Sequence, residues 1–231
     1  MTRNYLLFAL VLTGLAVLAT AAIYPQLPER IPTHWNIRGE IDDYGDRAWA
    51  AFLVPAIMLG LTGLFAAIPW LSPKQFTVDT FRSTYGFICA TVLVTMAYIH
   101  VLLMWAALAG PVDNTRPLLG GLMVMFATIG NVLGKVRRNF WVGVRTPWTI
   151  ASERVWNDTH RLAGKTFVGS AVIGLVVTLL PLPLPAVAIT TVVVIFAGAF
   201  SPVVYSLLIY KRLERSGQLT LDPPLEGGAK S

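Results

Sequence analysis

Gly164-Lys165-Thr166 has the residues that close a phosphate-binding loop, yet that loop needs a glycine five positions earlier, where the chain has Thr159. Nucleotide chemistry is therefore not expected. The three histidines, His34, His100 and His160, fall in three different segments and none has metal-ligand spacing, while Cys89 is the only cysteine. No metal or other cofactor is expected, nor a disulfide. The segment that does concentrate unusual chemistry is Asn139-Phe-Trp-Val-Gly-Val-Arg-Thr-Pro-Trp148, continuing through Trp156 to Arg161 and Lys165. It is polar and aromatic between uncharged runs. Within it Arg145 stands out, because a guanidinium can make a forked contact to a carboxylate or a lipid phosphate. Arg145 could equally be a cation that sets topology.

The elements that must position these groups are membrane helices. A chain of 231 residues with 55% hydrophobic residues, 13% charged residues and a mean hydropathy of +0.63 lacks the polar surface of a soluble domain. Its net charge of +6 sits beside apolar runs rather than along one soluble face. That distribution fits lipid headgroups and argues against direct nucleic-acid binding. Apolar runs near Tyr5–Ile23, Ala48–Leu71, Ser83–Ala109, Pro117–Gly134, Thr166–Leu180 and Ala186–Tyr210 give six spans, since about 20 residues cross a bilayer core. The last two are separated only by Pro181-Leu-Pro-Leu-Pro185, which leaves room for a tight turn. The first run is too long for the core of a cleaved signal peptide, although Arg3 and Ala19-Thr-Ala21 have that flavour.

Of the eighteen Lys and Arg residues, only Arg30, Arg38, Arg47 and Arg116 fall on the side opposite the termini. The positive-inside rule then puts both termini and the signature segment in the cytoplasm. The fold class expected is an all-α, six-span helical bundle with a small outer hairpin-like loop and an inner amphipathic interfacial helix. Its division would be 1–71, two spans with the outer proline-rich loop; 72–212, four spans with the cytoplasmic segment 135–165; and 213–231, a disordered tail.

In the outer segment, Pro25, Pro28 and Pro32 favour an extended chain and Asn36-Ile-Arg-Gly39 has the residues of a tight turn between Ile31–Trp35 and Glu40–Tyr44. His34, Trp35 and Asn36 there could bind an incoming peptide or merely close the bundle. Asp42, Asp43 and Asp46 could attract a cationic ligand, or simply form a solvated face. In the inner segment, Thr146 suits an N-cap and Pro147 a first helical residue. From there Trp148, Val155 and Leu162 recur on one face and Arg154, Asp158, Arg161 and Lys165 on another, the pattern of a helix lying along headgroups. Trp141, Trp148 and Trp156 suit interfacial anchoring. Gly130 and Gly134 form a small-x-x-x-small pair, with Asn131 placed for an interhelical hydrogen bond. The spans hold no acidic residue, and His100 is their single readily titratable group near neutral pH, either a packed side chain or a proton carrier.

Taken together, residues 139–165 resemble the signature of the SdpI family, bacterial membrane proteins that act as immunity factors against a secreted peptide toxin. The pattern Leu27-Pro-x-x-Ile-Pro-x-His-Trp-Asn-x-x-Gly39 is similar to a domain of unknown function that commonly precedes that signature. The resemblance puts Asn139, Gly143, Arg145, Thr146, Pro147, Trp148, Trp156, Arg161 and Lys165 on recurring positions, with His34, Trp35, Asn36 and Gly39 as outer candidates. It implies a non-enzyme whose partners are membrane lipids, a peptide toxin and, in some members, a soluble transcriptional repressor drawn to the membrane. A small-molecule or peptide transporter is the alternative, and a lipid-modifying enzyme a weaker one for want of a catalytic set.

Overall fold

The structure is a computed structural model describing residues 2–110 and 112–221. Long apolar stretches form α1 (Arg3–Ile23), α2 (Arg47–Leu71), α3 (Arg82–Ala109), α4 (Thr115–Leu133), α6 (Glu153–Leu179) and α7 (Leu184–Arg215), with the short α5 (Pro147–Ala151) before α6. Six helices among the described residues are long and apolar enough to cross a membrane. Leu7, Val11, Leu15 and Leu18 of α1 are exposed, as are Phe196 and Phe200 of α7. Such an apolar exterior is stable only in lipid.

Helix ends follow local chemistry. Asp46 caps α2 by accepting from the Ala48 amide at 2.8 Å, and Gly110, at φ 79°, ends α3. The turn between α6 and α7 is held from a distance: the Arg116 guanidinium on α4 donates to the carbonyls of Thr178 at 2.9 Å, Leu180 at 2.8 Å and Leu182. Those carbonyls have lost helical partners, so the half-buried guanidinium satisfies them. Arg116 thus ties α4 to the turn between α6 and α7.

The outer segment pairs β1 (Arg30–Trp35) with β2 (Ile41–Asp46) in an antiparallel hairpin, its register irregular around His34. The turn falls where expected, at Asn36 to Gly39. The Asn36 side-chain oxygen accepts from the Arg38 and Glu40 amides, and Gly39 takes φ 79°. Leu27 and Ile31 sink into a core with Ala50, Ala51, Val54, Met58, Leu93 and Leu103. A second core at the opposite end joins Val78, Phe81, Tyr85 and Cys89 to Val132, Val136, Trp156 and Ala163. The α3 helix contributes to both.

Three expectations require correction. The inner segment is not one interfacial helix: Ser152 is extended (φ −144°, ψ 124°), which ends α5 after five residues, and α6 then runs continuously from Glu153 into the membrane. The reason is packing, since Val155, Trp156, Thr159, His160 and Ala163 are all fully buried and draw the helix into the bundle. The Gly130 and Gly134 pair is not used as a pair. Gly130 meets α6, where a Cβ would press on Phe167 and Val168, and its partner is Gly164, whose Cβ would lie 2.9 Å from the Gly130 carbonyl; Gly134 faces open space and Asn131 is exposed. Finally, the tail expected from 213 onward is still helical through Arg215, with Lys211 paired to Glu214 at 2.8 Å. The remainder of that expectation, 222–231, lies outside the described residues.

Candidate functional site

Two regions gather the candidates, one at each end of the bundle. At the inner end Asn139, fully buried, organises the loop before α5. Its amide nitrogen donates to the carbonyls of Arg137 (2.8 Å) and Val142 (3.0 Å), and its oxygen accepts from the amides of Trp141 and Val142, both at 2.7 Å. All four bonding positions of the carboxamide are occupied. The loop continues to Gly143 at φ 108°, where a Cβ would strike the Nε2 atom of His160. Val144 then donates its amide to that same Nε2 at 3.0 Å, while His160 Nδ1 donates to the Trp156 carbonyl at 2.9 Å. This pair of contacts fixes the neutral tautomer with the proton on Nδ1. The imidazole stacks on Trp156 with centroids 4.1 Å apart, and Trp156 Nε1 donates to the Val136 carbonyl at 2.8 Å.

Thr146 caps α5 as expected, exchanging bonds with Thr149 in a reciprocal box, and its hydroxyl meets Ser206 of α7 at 3.0 Å. Pro147 is the first helical residue, and Trp148 is half-buried. Arg145 is exposed and donates to the Phe140 carbonyl. Arg138 donates to the Ile150 carbonyl at 2.8 Å and lies over the Phe76 ring, which meets Phe140 edge-on. These contacts tie the loop between α2 and α3 to the loop between α4 and α5. The fold therefore brings Asn139, Gly143, Thr146 and Trp156 together as one scaffold. It leaves Arg161 and Lys165 on the exposed side of α6, Arg161 reaching Asp158 at 4.0 Å. Trp156 does not anchor at an interface, being fully buried, whereas Trp141 is exposed enough to do so.

His160 was not among the site candidates, and neither was Thr149. The available signal was the spacing of Trp156 and His160, which stacks two rings on one helix face.

At the outer end, His34 Nδ1 contacts Asp42 at 2.6 Å and Asn36 donates to Glu40 at 2.8 Å. The Asn36 bond and then the Arg38 guanidinium hold the Glu40 carboxyl below its ordinary range. The hairpin tip is pinned to the bundle, since a Cβ on Gly39 would lie 2.7 Å from Leu184 and 3.3 Å from Thr115. Beneath it lies a cavity of about 400 Å³ between α2, α3, α4 and α7. Within α3, His100 is buried against Thr20 of α1 at 2.7 Å. It is a packed, bonded side chain. Among the described residues no cluster of three or more His, Cys, Asp or Glu could hold a metal ion.

Six apolar helices, a two-stranded hairpin at one end of the bundle and a tightly bonded loop at the other define a multi-pass membrane protein. Residues 11–59 match a domain of unknown function, DUF1648, and residues 135–206 match the SdpI/YfhL protein family. The chain carries an SdpI family domain behind a DUF1648 domain. It is 25% identical over 165 residues to the "Immunity protein SdpI" of Bacillus subtilis (strain 168), covering 70% of this chain and 75% of that protein. No solved structure matches it.

Proposed function

We propose that this protein is a non-enzymatic immunity protein, which protects a bacterium from a secreted, membrane-active peptide by engaging it at the outer leaflet. The observation that carries the reading is the extent of the similarity to the Bacillus subtilis immunity protein: 165 aligned residues reach far beyond the signature loop. The outer hairpin supports it physically, offering the half-buried Trp35 for apolar contact and Asp42 and Asp43 for a cationic partner. A susceptible strain expressing the chain should survive challenge with at least one of a panel of such peptides, including the one countered by the Bacillus subtilis protein. Unchanged survival against every peptide, at normal membrane abundance, rejects the proposal.

Both termini are assigned to the cytoplasm. The support is the clustering of thirteen of the seventeen described Lys and Arg residues at the end of the bundle that holds the signature loop. In a Cys89→Ser background, an impermeant thiol reagent should label Asn36→Cys in intact cells and Asp158→Cys only after permeabilisation. Labelling in the reverse order inverts the topology.

The exposed Arg154, Arg161 and Lys165 on α6 support a second step, recruitment of a soluble transcriptional repressor to the inner face. Arg161→Glu with Lys165→Glu should then abolish peptide-dependent transfer of that repressor to the membrane fraction while survival persists. Transfer that is unaffected removes this basic face from the reading.

A further inference from the structure

An exposed apolar ridge runs along α7 at i, i+4 spacing through Phe196, Phe200, Val204 and Leu208. The next residue on that ridge is Arg212, and Arg215 follows in the same last turn. Both line a recess of about 490 Å³ together with Leu207 and Leu208. Cations at a helix C-terminus are commonly engaged by its free carbonyls. Here backbone amides take those carbonyls: Ser216 donates to Arg212 at 3.1 Å, Gly217, at φ 69°, to Glu214 at 3.2 Å, and Gln218 to Leu213 at 2.9 Å. Leu213 is buried, which holds this turn against the bundle. Lys211, also in the lining, is paired with Glu214 at 2.8 Å. Among the described residues neither Arg212 nor Arg215 has an ion pair. The recess therefore holds two uncompensated positive charges beside apolar side chains. A recess of about 430 Å³ beside Arg154 and Arg161 differs in containing two carboxylates, Glu153 and Asp158. In the larger recess between α3, α4 and α6, the Arg116 guanidinium is already engaged by three carbonyls.

From this arrangement we infer that the recess at the end of α7 binds the headgroup of an anionic phospholipid. The phosphodiester is held by the Arg212 and Arg215 guanidiniums, whose planar forks match phosphate oxygens, while an acyl chain follows Leu208, Val204 and Phe200 along the helix. Continuity favours a lipid over a soluble phosphate, because the lipid-facing ridge runs without interruption into the two cations. Charge favours an anionic headgroup over a zwitterionic one, since a zwitterion brings its own cation to a recess that already holds two. The site needs only a bilayer around α7, so it stands or falls separately from the immunity reading.

The test uses the full chain in phosphatidylcholine nanodiscs and two photoprobes with the same diazirine-bearing acyl chain, one a phosphatidylglycerol and one a phosphatidylcholine, each at trace level. Labelled residues are mapped by mass spectrometry. At Val204 and Leu208 the phosphatidylglycerol probe should label roughly 5- to 30-fold more than its partner, as expected for two cations acting on one anionic headgroup. At exposed Leu15 of α1 and Val101 of α3 the two probes should label about equally. Raising salt from about 0.05 M to about 0.5 M should cut the preference several-fold on the unaltered protein. Arg212→Gln with Arg215→Gln should erase it, whereas Arg154→Gln with Arg161→Gln should leave it in place. Equal labelling by the two probes at Val204 and Leu208, or an equally large preference at Leu15 and Val101, overturns the proposal. So does a preference that survives the Arg212 and Arg215 pair of substitutions. Soluble glycerophosphoglycerol, the same headgroup without acyl chains, should not displace the probe; displacement would show a site for a free phosphodiester and sink the lipid assignment. The probe comparison and the salt dependence are read on the unaltered protein, so they decide the matter even where a variant fails to insert.

Discussion

Trp156→Ala is expected to destabilise the inner half of the bundle by about 3–5 kcal/mol, the range for removing a large aromatic from a packed core. The side chain is fully buried, stacks on His160 and donates to the Val136 carbonyl, so truncation opens a cavity and orphans an acceptor together. Trp156→Phe separates the two effects. It keeps most of the apolar volume and loses the indole N–H, leaving the Val136 carbonyl unpaired at a cost of about 1–3 kcal/mol. Cys89 provides the measurement. It is the only cysteine, is 2% exposed and belongs to the same core, so its reaction with a thiol dye during heating reports opening of this region. Equal dye-reaction midpoints for the Trp156→Ala and unaltered proteins would show that the indole carries no packing energy, as an interfacial anchor would not.

That buried indole also marks the boundary of what could be read from the chain. The six spans were legible because each is an uncharged run long enough to cross a bilayer, and hydropathy alone reports that. The turn at Asn36 to Gly39 and the start of α5 at Thr146 and Pro147 were legible because their determinants are local side-chain to backbone bonds. Trp156 was misplaced at an interface because tryptophan beside arginine has the composition of a headgroup region whether or not the ring is covered. What holds it, the Val136 carbonyl that accepts from its indole N–H, comes from an earlier part of the chain. The same holds for Arg116, whose acceptors lie at and just past the C-terminal end of α6, and for the pairing of Gly130 with Gly164 in place of Gly134. Long-range pairing, not local propensity, decides these positions.

The contact that closes the inner scaffold can be isolated energetically. Gly143→Ala should lower stability for two separable reasons, because Gly143 has φ 108° and a Cβ there would collide with His160 Nε2. Backbone strain in a glycine region is worth about 1–3 kcal/mol. Overpacking in a filled core adds about 1–3 kcal/mol. His160→Ala alone costs stability by another route, since the Val144 amide loses its acceptor and Trp156 loses its stacked ring. In the double variant the collision disappears while the backbone strain remains. The combined loss should therefore fall short of the sum of the two single losses by the collision energy, about 1–3 kcal/mol. A purely conformational role for Gly143 predicts additivity instead. Dye-reaction midpoints at Cys89 for the four proteins, with retention of the six-span topology checked in each, distinguish these results. Strict additivity would mean that Val144 rather than the glycine sets the position of the His160 ring, and that the loop tolerates a side chain at 143 wherever the backbone angle can relax.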